Sequence, residues 1–124
     1  MLDVTPVNTA VLSGQSAVLR CRSSSGVSAT ISWTQRRVNV SIIAAGCTLL
    51  PNISPVYSLT SDGAGQCDLV ISSVDASLTG VYGCVEATGE TPQAYLTIIG
   101  KCTWFNNMCV RFLIISDVDI GEMN

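Results

Sequence analysis

Six cysteines, at positions 21, 47, 67, 84, 102 and 109 of a 124-residue chain, constrain the fold more than any other feature. The nearest two, Cys102 and Cys109, have six residues between them, so the sequence offers no C-x-x-C pair of the kind that holds zinc. Cysteine at this density in a short chain points to disulfides formed in an oxidising compartment, and hence to an extracellular protein, secreted or displayed on a cell surface. The length is room for one domain. No run approaches the roughly 18 apolar residues of a membrane span, so this segment is not expected to insert into a membrane. Met1-Leu2-Asp3-Val4 lacks the basic start and apolar stretch of a signal peptide, and the expectation for a secreted chain is a leader already removed. Asn39-Val40-Ser41 and Asn52-Ile53-Ser54 are sequons, which predict glycans at Asn39 and Asn52.

The first hundred residues contain short apolar-alternating runs punctuated by Gly, Ser, Pro and Asp, the pattern of an all-β sandwich. Val4 to Leu12 carries Pro6 and belongs at a sheet edge, where a missing donor does no harm. Ala17-Val18-Leu19-Arg20-Cys21 alternates, as does Thr30-Ile31-Ser32-Trp33, with Ile31 and Trp33 inward. Val40 to Ala45 and Val56 to Thr60 read as strands, and Asp68-Leu69-Val70-Ile71 as another with Leu69 and Ile71 buried. Gly80 to Ala87 and Ala94 to Ile99 read as a final hairpin around Thr88-Gly89-Glu90-Thr91-Pro92. Such a pattern gives about eight or nine strands, with no internal repeat.

Charge and residue type narrow the function classes. The chain has no histidine, which removes the commonest general base and the commonest metal ligand together. No constellation activates a serine or other nucleophile, so an enzyme is not expected, nor is any cofactor or metal. The loose acidic end Asp117, Asp119 and Glu122 lacks the glycine-spaced loop of a calcium site. A net charge of −3 supplies no basic field for phosphates, which argues against nucleic acid. Charged residues are only 12% against 48% hydrophobic, so the surface is itself apolar in part.

These strands carry a linked set of residues. Cys21 on the second strand is followed twelve residues later by Trp33, and Gly80-Val81-Tyr82-Gly83-Cys84 has the form G-x-Y-x-C. Asp68 to Val74 has the form of a strand and the corner after it. In this ordered set, residues 3 to 100 resemble an immunoglobulin superfamily domain of the variable type, or an intermediate between the variable and intermediate types. The resemblance implies an immunoglobulin-like, two-sheet antiparallel sandwich with an inter-sheet Cys21–Cys84 disulfide, closing a loop worth about 4 kcal/mol by chain entropy. It also implies that Trp33 packs on that bridge and that the Tyr82 hydroxyl ties a corner to the backbone upstream. The stretch between Trp33 and Asp68 is long enough for extra edge strands, which favours the variable over the constant type. Nothing resembles the F-G-x-G of a rearranged antigen receptor, so the likeness is to a germline-encoded receptor or adhesion domain, such as those of invertebrates.

One departure is informative. The family's usual acidic residue six positions before the second cysteine is Leu78 here, and the fourth strand offers Tyr57 and no arginine. With both halves of an ion pair replaced, an apolar contact between Leu78 and that strand is expected. Cys47 and Cys67 are expected to pair, with buried free thiols as the alternative. Residues 101–124 read as a tail beyond a domain at 1–100: a Cys102–Cys109 loop and one more strand, or a stub leading to a stalk or further domain.

Within this resemblance the expected function is protein recognition, by self-association through one sheet face. With Tyr82 and Cys84 inward, Val81, Gly83, Val85 and Ala87 point outward, as do Ser32, Thr34 and Arg36 on the third strand and Tyr95, Thr97 and Ile99 on the last. Arg36 and Tyr95 are residue types that anchor interfaces. The alternatives are a monomer that captures a different ligand with the loops Ser23 to Ser28 and Thr88 to Pro92, and a spacer with no partner.

Overall fold

The computed structural model describes residues 2–36, 39–87, 89 and 91–100 in full, and the backbone alone of 103–105, 108–115 and 118–123. The chain is all-β and sandwich-like; two short 3-10 turns, Ser28–Thr30 and Ala76–Leu78, are its helical elements among the described residues.

The small sheet has the order β3 (Ala17–Leu19), β9 (Asp68–Ile71), β8 (Tyr57–Thr60). The large sheet is centred on β11 (Gln93–Ile99), β10 (Gly80–Glu86), β5 (Ile31–Arg36) and β6 (Val40–Ala45), with β7 (Thr48–Leu49) at its edge. The run from Val4 to Leu12 is not one strand. β1 (Leu2–Val4) pairs with β4 (Arg22–Ser23), whereas β2 (Thr9–Leu12) joins β11 in parallel. Pro6, which has no backbone N–H to offer a ladder, lies in the break, and the chain changes partners there.

Alternation explains which side chains meet. Ala17 and Leu19, Tyr57, Leu69 and Ile71 from the small sheet share one buried cluster with Ile31, Trp33, Ile43, Ala44, Tyr82, Cys84, Leu96 and Ile98 from the large one. Leu78 and Tyr57 both belong to this cluster, at its margin. The Cys21–Cys84 bond, with Cα atoms 6.5 Å apart, joins the residue two beyond the end of β3 to the middle of β10. Trp33 stands opposite Cys84 on the adjacent strand and is 0% exposed. Its indole N–H donates to the Cys67 carbonyl at 2.9 Å, a buried tie between the elements of the two sheets. Cys67 in turn is bonded to Cys47, Cα to Cα 5.9 Å, which staples the β6–β7 turn to the entry of β9.

Asp68 sits at the centre of this knot. Its Oδ1 accepts from the Cys21 N–H at 3.1 Å, its Oδ2 accepts from Gln66 Nε2 at 2.8 Å, and the Arg20 guanidinium lies 3.8 Å away. The Cys67 N–H closes the ring on the Cys21 carbonyl at 3.0 Å. A buried carboxylate is tolerable here because each oxygen has a donor.

The tail adds three strands, β12 (Thr103–Phe105), β13 (Met108–Ile115) and β14 (Val118–Met123). β13 pairs with Ile98–Ile99 of β11, on the edge that β10 leaves uncovered beyond Leu96. The Cys102–Cys109 pairing and the side chains of Asp117, Asp119 and Glu122 lie outside the described residues.

Removing the Asp68 acceptors strands a buried donor. Asp68→Ala is expected to lower the unfolding free energy by about 1–3 kcal/mol, and Asp68→Asn, which keeps an acceptor for Cys21 N–H, by less. Chemical denaturation of the oxidised protein checks the order of the two variants.

Candidate functional site

The outward face of β5, β6, β10 and β11 is built by register. Val81 pairs with Tyr95 on one side and Arg36 on the other, and Arg36 pairs with Val40. Directly paired residues share a face, so Tyr95, Val81, Arg36 and Val40 form one row across four strands. One step along, Gln93, Gly83, Thr34 and Ile42 form a second row, and Val85 with Ser32 begins a third. Tyr95, Val40 and Ile42 are 61%, 63% and 52% exposed, and Arg36 is exposed beside them. Among the described residues of these rows, Arg36 is the one charged side chain.

A bulge shapes the edge of this face. Trp33 pairs with Ala44 while Thr34 pairs with Ile42, so Ile43 is the extra residue on β6. Ile43 and Ala44 are consequently both buried, although they are adjacent, and Val40 and Ile42 are left facing outward. Strict alternation along Val40 to Ala45 cannot show this, because the bulge depends on the partner strand. Val40, Ile42 and Gln93 are therefore face residues that sequence reasoning missed; a strand carrying too many apolar residues for one inward side was the available signal.

Gly83 lies on this side of the sheet but is not contact surface. It is buried under its neighbours: a Cβ there would come 2.8 Å from Thr34 Oγ1 and 3.6 Å from Gln93 Cγ. Its role is to let Thr34 and Gln93 close over the strand and keep the face flat. Val85 and Thr97 are half-buried, and Ala87 is exposed just past the end of β10.

The loop at one end of the sandwich is organised inward. Ser23 and Glu86 are each 1% exposed, and the Ser23 hydroxyl donates to the Glu86 carboxylate. Ser23 Oγ also lies 2.8 Å from Ser25 Oγ, and the Ser28 hydroxyl accepts from the Gly65 N–H at 3.0 Å. Glu86 continues the inward phase of Tyr82 and Cys84, a signal present in the sequence that sequence reasoning did not use. At the neighbouring turn, Asp62 accepts from the N–H groups of Ala64 (2.7 Å) and Gln66 (3.1 Å), which hold its carboxyl below the usual carboxylate range with help from Arg22. The opposite corner is fixed by Tyr82, whose hydroxyl donates to the Leu78 carbonyl at 2.7 Å and accepts from Gln35 Nε2 at 3.1 Å. The loop Thr88 to Pro92 lies partly outside the described residues. Both sequon asparagines are exposed: Asn39 just before β6, and Asn52 in the connection from β7 to the small sheet, with φ 63°.

No group of metal-ligating side chains is gathered among the described residues, and no helix there is long and apolar enough to cross a membrane. Two disulfides suggest an oxidising, extracellular setting. Compared with known proteins, the chain matches no family model and no curated protein.

Gly83→Ala is expected to cost about 1–3 kcal/mol through its contact with Thr34. Adding Thr34→Ala should restore most of the loss. Thermal unfolding of the two single variants and the double variant measures the coupling; additive losses would show that Gly83 matters for another reason.

Proposed function

We propose that the chain is a variable-type immunoglobulin domain that acts as an extracellular protein-recognition module and pairs with a second copy of itself through the face of β5, β6, β10 and β11. Support for the fold reading is the combination of a Cys21–Cys84 bond, Trp33 opposite Cys84, the Tyr82–Leu78 tie and the edge strands β6 and β7. The supporting observation for self-association is the order of residues in the first row. Tyr95, Val81 and Arg36 stand on three adjacent strands, with Val81 in the middle.

A two-fold axis through Val81 exchanges the positions of Tyr95 and Arg36. Each copy's guanidinium then meets the other copy's aromatic ring, about 10 Å from its own, and the apolar Val81 side chains meet at the axis. Among the described residues of these rows Arg36 has no carboxylate beside it, which suits this arrangement, because the ring face attracts the cation without a salt bridge. The exposed apolar residues Val40 and Ile42 extend the contact. A pairing carried by one aromatic–cation contact per copy and a few apolar side chains is weak and concentration-dependent. Ligand capture by the Ser23–Ser28 loop is less well supported, since the hydroxyls of Ser23, Ser25 and Ser28 are engaged with Glu86, Gly65 and one another.

Light scattering across a dilution series on the glycan-free double variant Asn39→Gln/Asn52→Gln tests the reading. A monomer–dimer equilibrium is expected, weakened at least about tenfold by either Arg36→Glu or Tyr95→Ala. A monomer at every concentration, or a dimer indifferent to both substitutions, would sink it.

A further inference from the structure

The two sequons are unequally placed relative to the outward face. Asn39, Val40 and Ser41 are all exposed, and Asn39 immediately precedes Val40, the residue that ends the Tyr95–Val81–Arg36–Val40 row. A glycan on Asn39 is thus rooted one residue from the apolar corner beside Arg36. Asn52 instead follows β7. The Leu50 N–H still reaches the Ile43 carbonyl at 3.0 Å, but by Tyr57 the chain is in the small sheet. Asn52 therefore sits on the crossing between sheets, off both rows of the face.

We propose that Asn39 carries an N-linked glycan that blocks the β5–β6–β10–β11 face, whereas a glycan on Asn52 leaves that face open. This rests on the self-pairing reading of the face. With a two-fold axis at Val81, the Val40 end of each row lies beyond the partner's Tyr95, so each glycan stands over the rim of the other copy as well as its own. N-glycans are bulky and strongly hydrated, and covering Val40 and Ile42 with one removes apolar contact while adding groups that resist desolvation. Chains unoccupied at Asn39 pair and occupied chains do not, so the occupancy of one site sets the fraction able to associate.

The test uses the full chain secreted from eukaryotic cells, with site occupancy read by glycopeptide mass spectrometry and association by light scattering. Five forms are compared: wild type, Asn39→Gln, Ser41→Ala (which removes the same sequon while keeping Asn39), Asn52→Gln, and the glycan-free double variant. The expected result is an occupied Asn39, with wild type and Asn52→Gln at least about tenfold weaker in pairing than the other three. An unoccupied Asn39, or wild type pairing as tightly as Asn39→Gln and Ser41→Ala, would overturn the gate while leaving self-pairing intact. A glycan-free variant that stays monomeric would instead remove the self-pairing reading, and the gate with it.

Discussion

The structure depends on the buried junction at Trp33. Trp33 stands opposite Cys84 on the adjacent strand, its indole N–H is held by the Cys67 carbonyl, and both cysteines are in disulfides. Covalent bonds alone limit how far the unfolded chain can spread; they do not choose a register. The indole, with one donor to satisfy and a large apolar body to bury, does choose. It places Cys84 and Trp33 side by side, brings the Cys67 segment over them, and leaves Asp68 to cap the Cys21 N–H. Everything outward follows, because fixing Trp33 inward fixes Thr34 and Arg36 on the side where Val81 and Tyr95 stand.

Two kinds of polar burial serve this framework. Asp68 at the junction and Glu86 at the loop end are carboxylates within a largely apolar interior, and each has hydrogen-bond donors in place. Pairing of this sort adds little net stability compared with an apolar core, but it penalises any alternative packing that leaves a donor or acceptor unmet. The serine-rich loop is thereby ordered from beneath. Gly65, with φ at +116° and the Ser23 carbonyl oxygen standing where a Cβ would go, is where a side chain has no room and L residues no comfortable backbone.

Much of the strand layout was legible from local pattern. Val40 to Ala45 and Asp68 to Ile71 are strands with those bounds, because short β-rich runs flanked by Gly, Ser and Asp have few other ways to satisfy both backbone and burial. What escaped was non-local. The split of Val4 to Leu12, with β2 joining β11 in parallel, is decided by which sheet edge is free and not by the run itself. The bulge at Ile43 is likewise a property of two strands, and it is what turns Val40 and Ile42 outward. Gly83 illustrates the opposite error: alternation assigns it to the outer side, yet neighbouring side chains roof it over. The face was visible in the sequence through Arg36 and Tyr95, but its composition required the register.

The central claim is that this flat, apolar, four-strand face is where the protein meets its copy. Backbone amide NMR spectra of the glycan-free Asn39→Gln/Asn52→Gln protein, recorded over a wide concentration range, test that claim residue by residue. The account predicts concentration-dependent shifts at Arg36, Val40, Ile42, Val81 and Tyr95, with β3, β8 and β9 unchanged. Shifts confined to the small sheet or to the Ser23–Ser28 loop, or spectra that do not change with concentration, would contradict it.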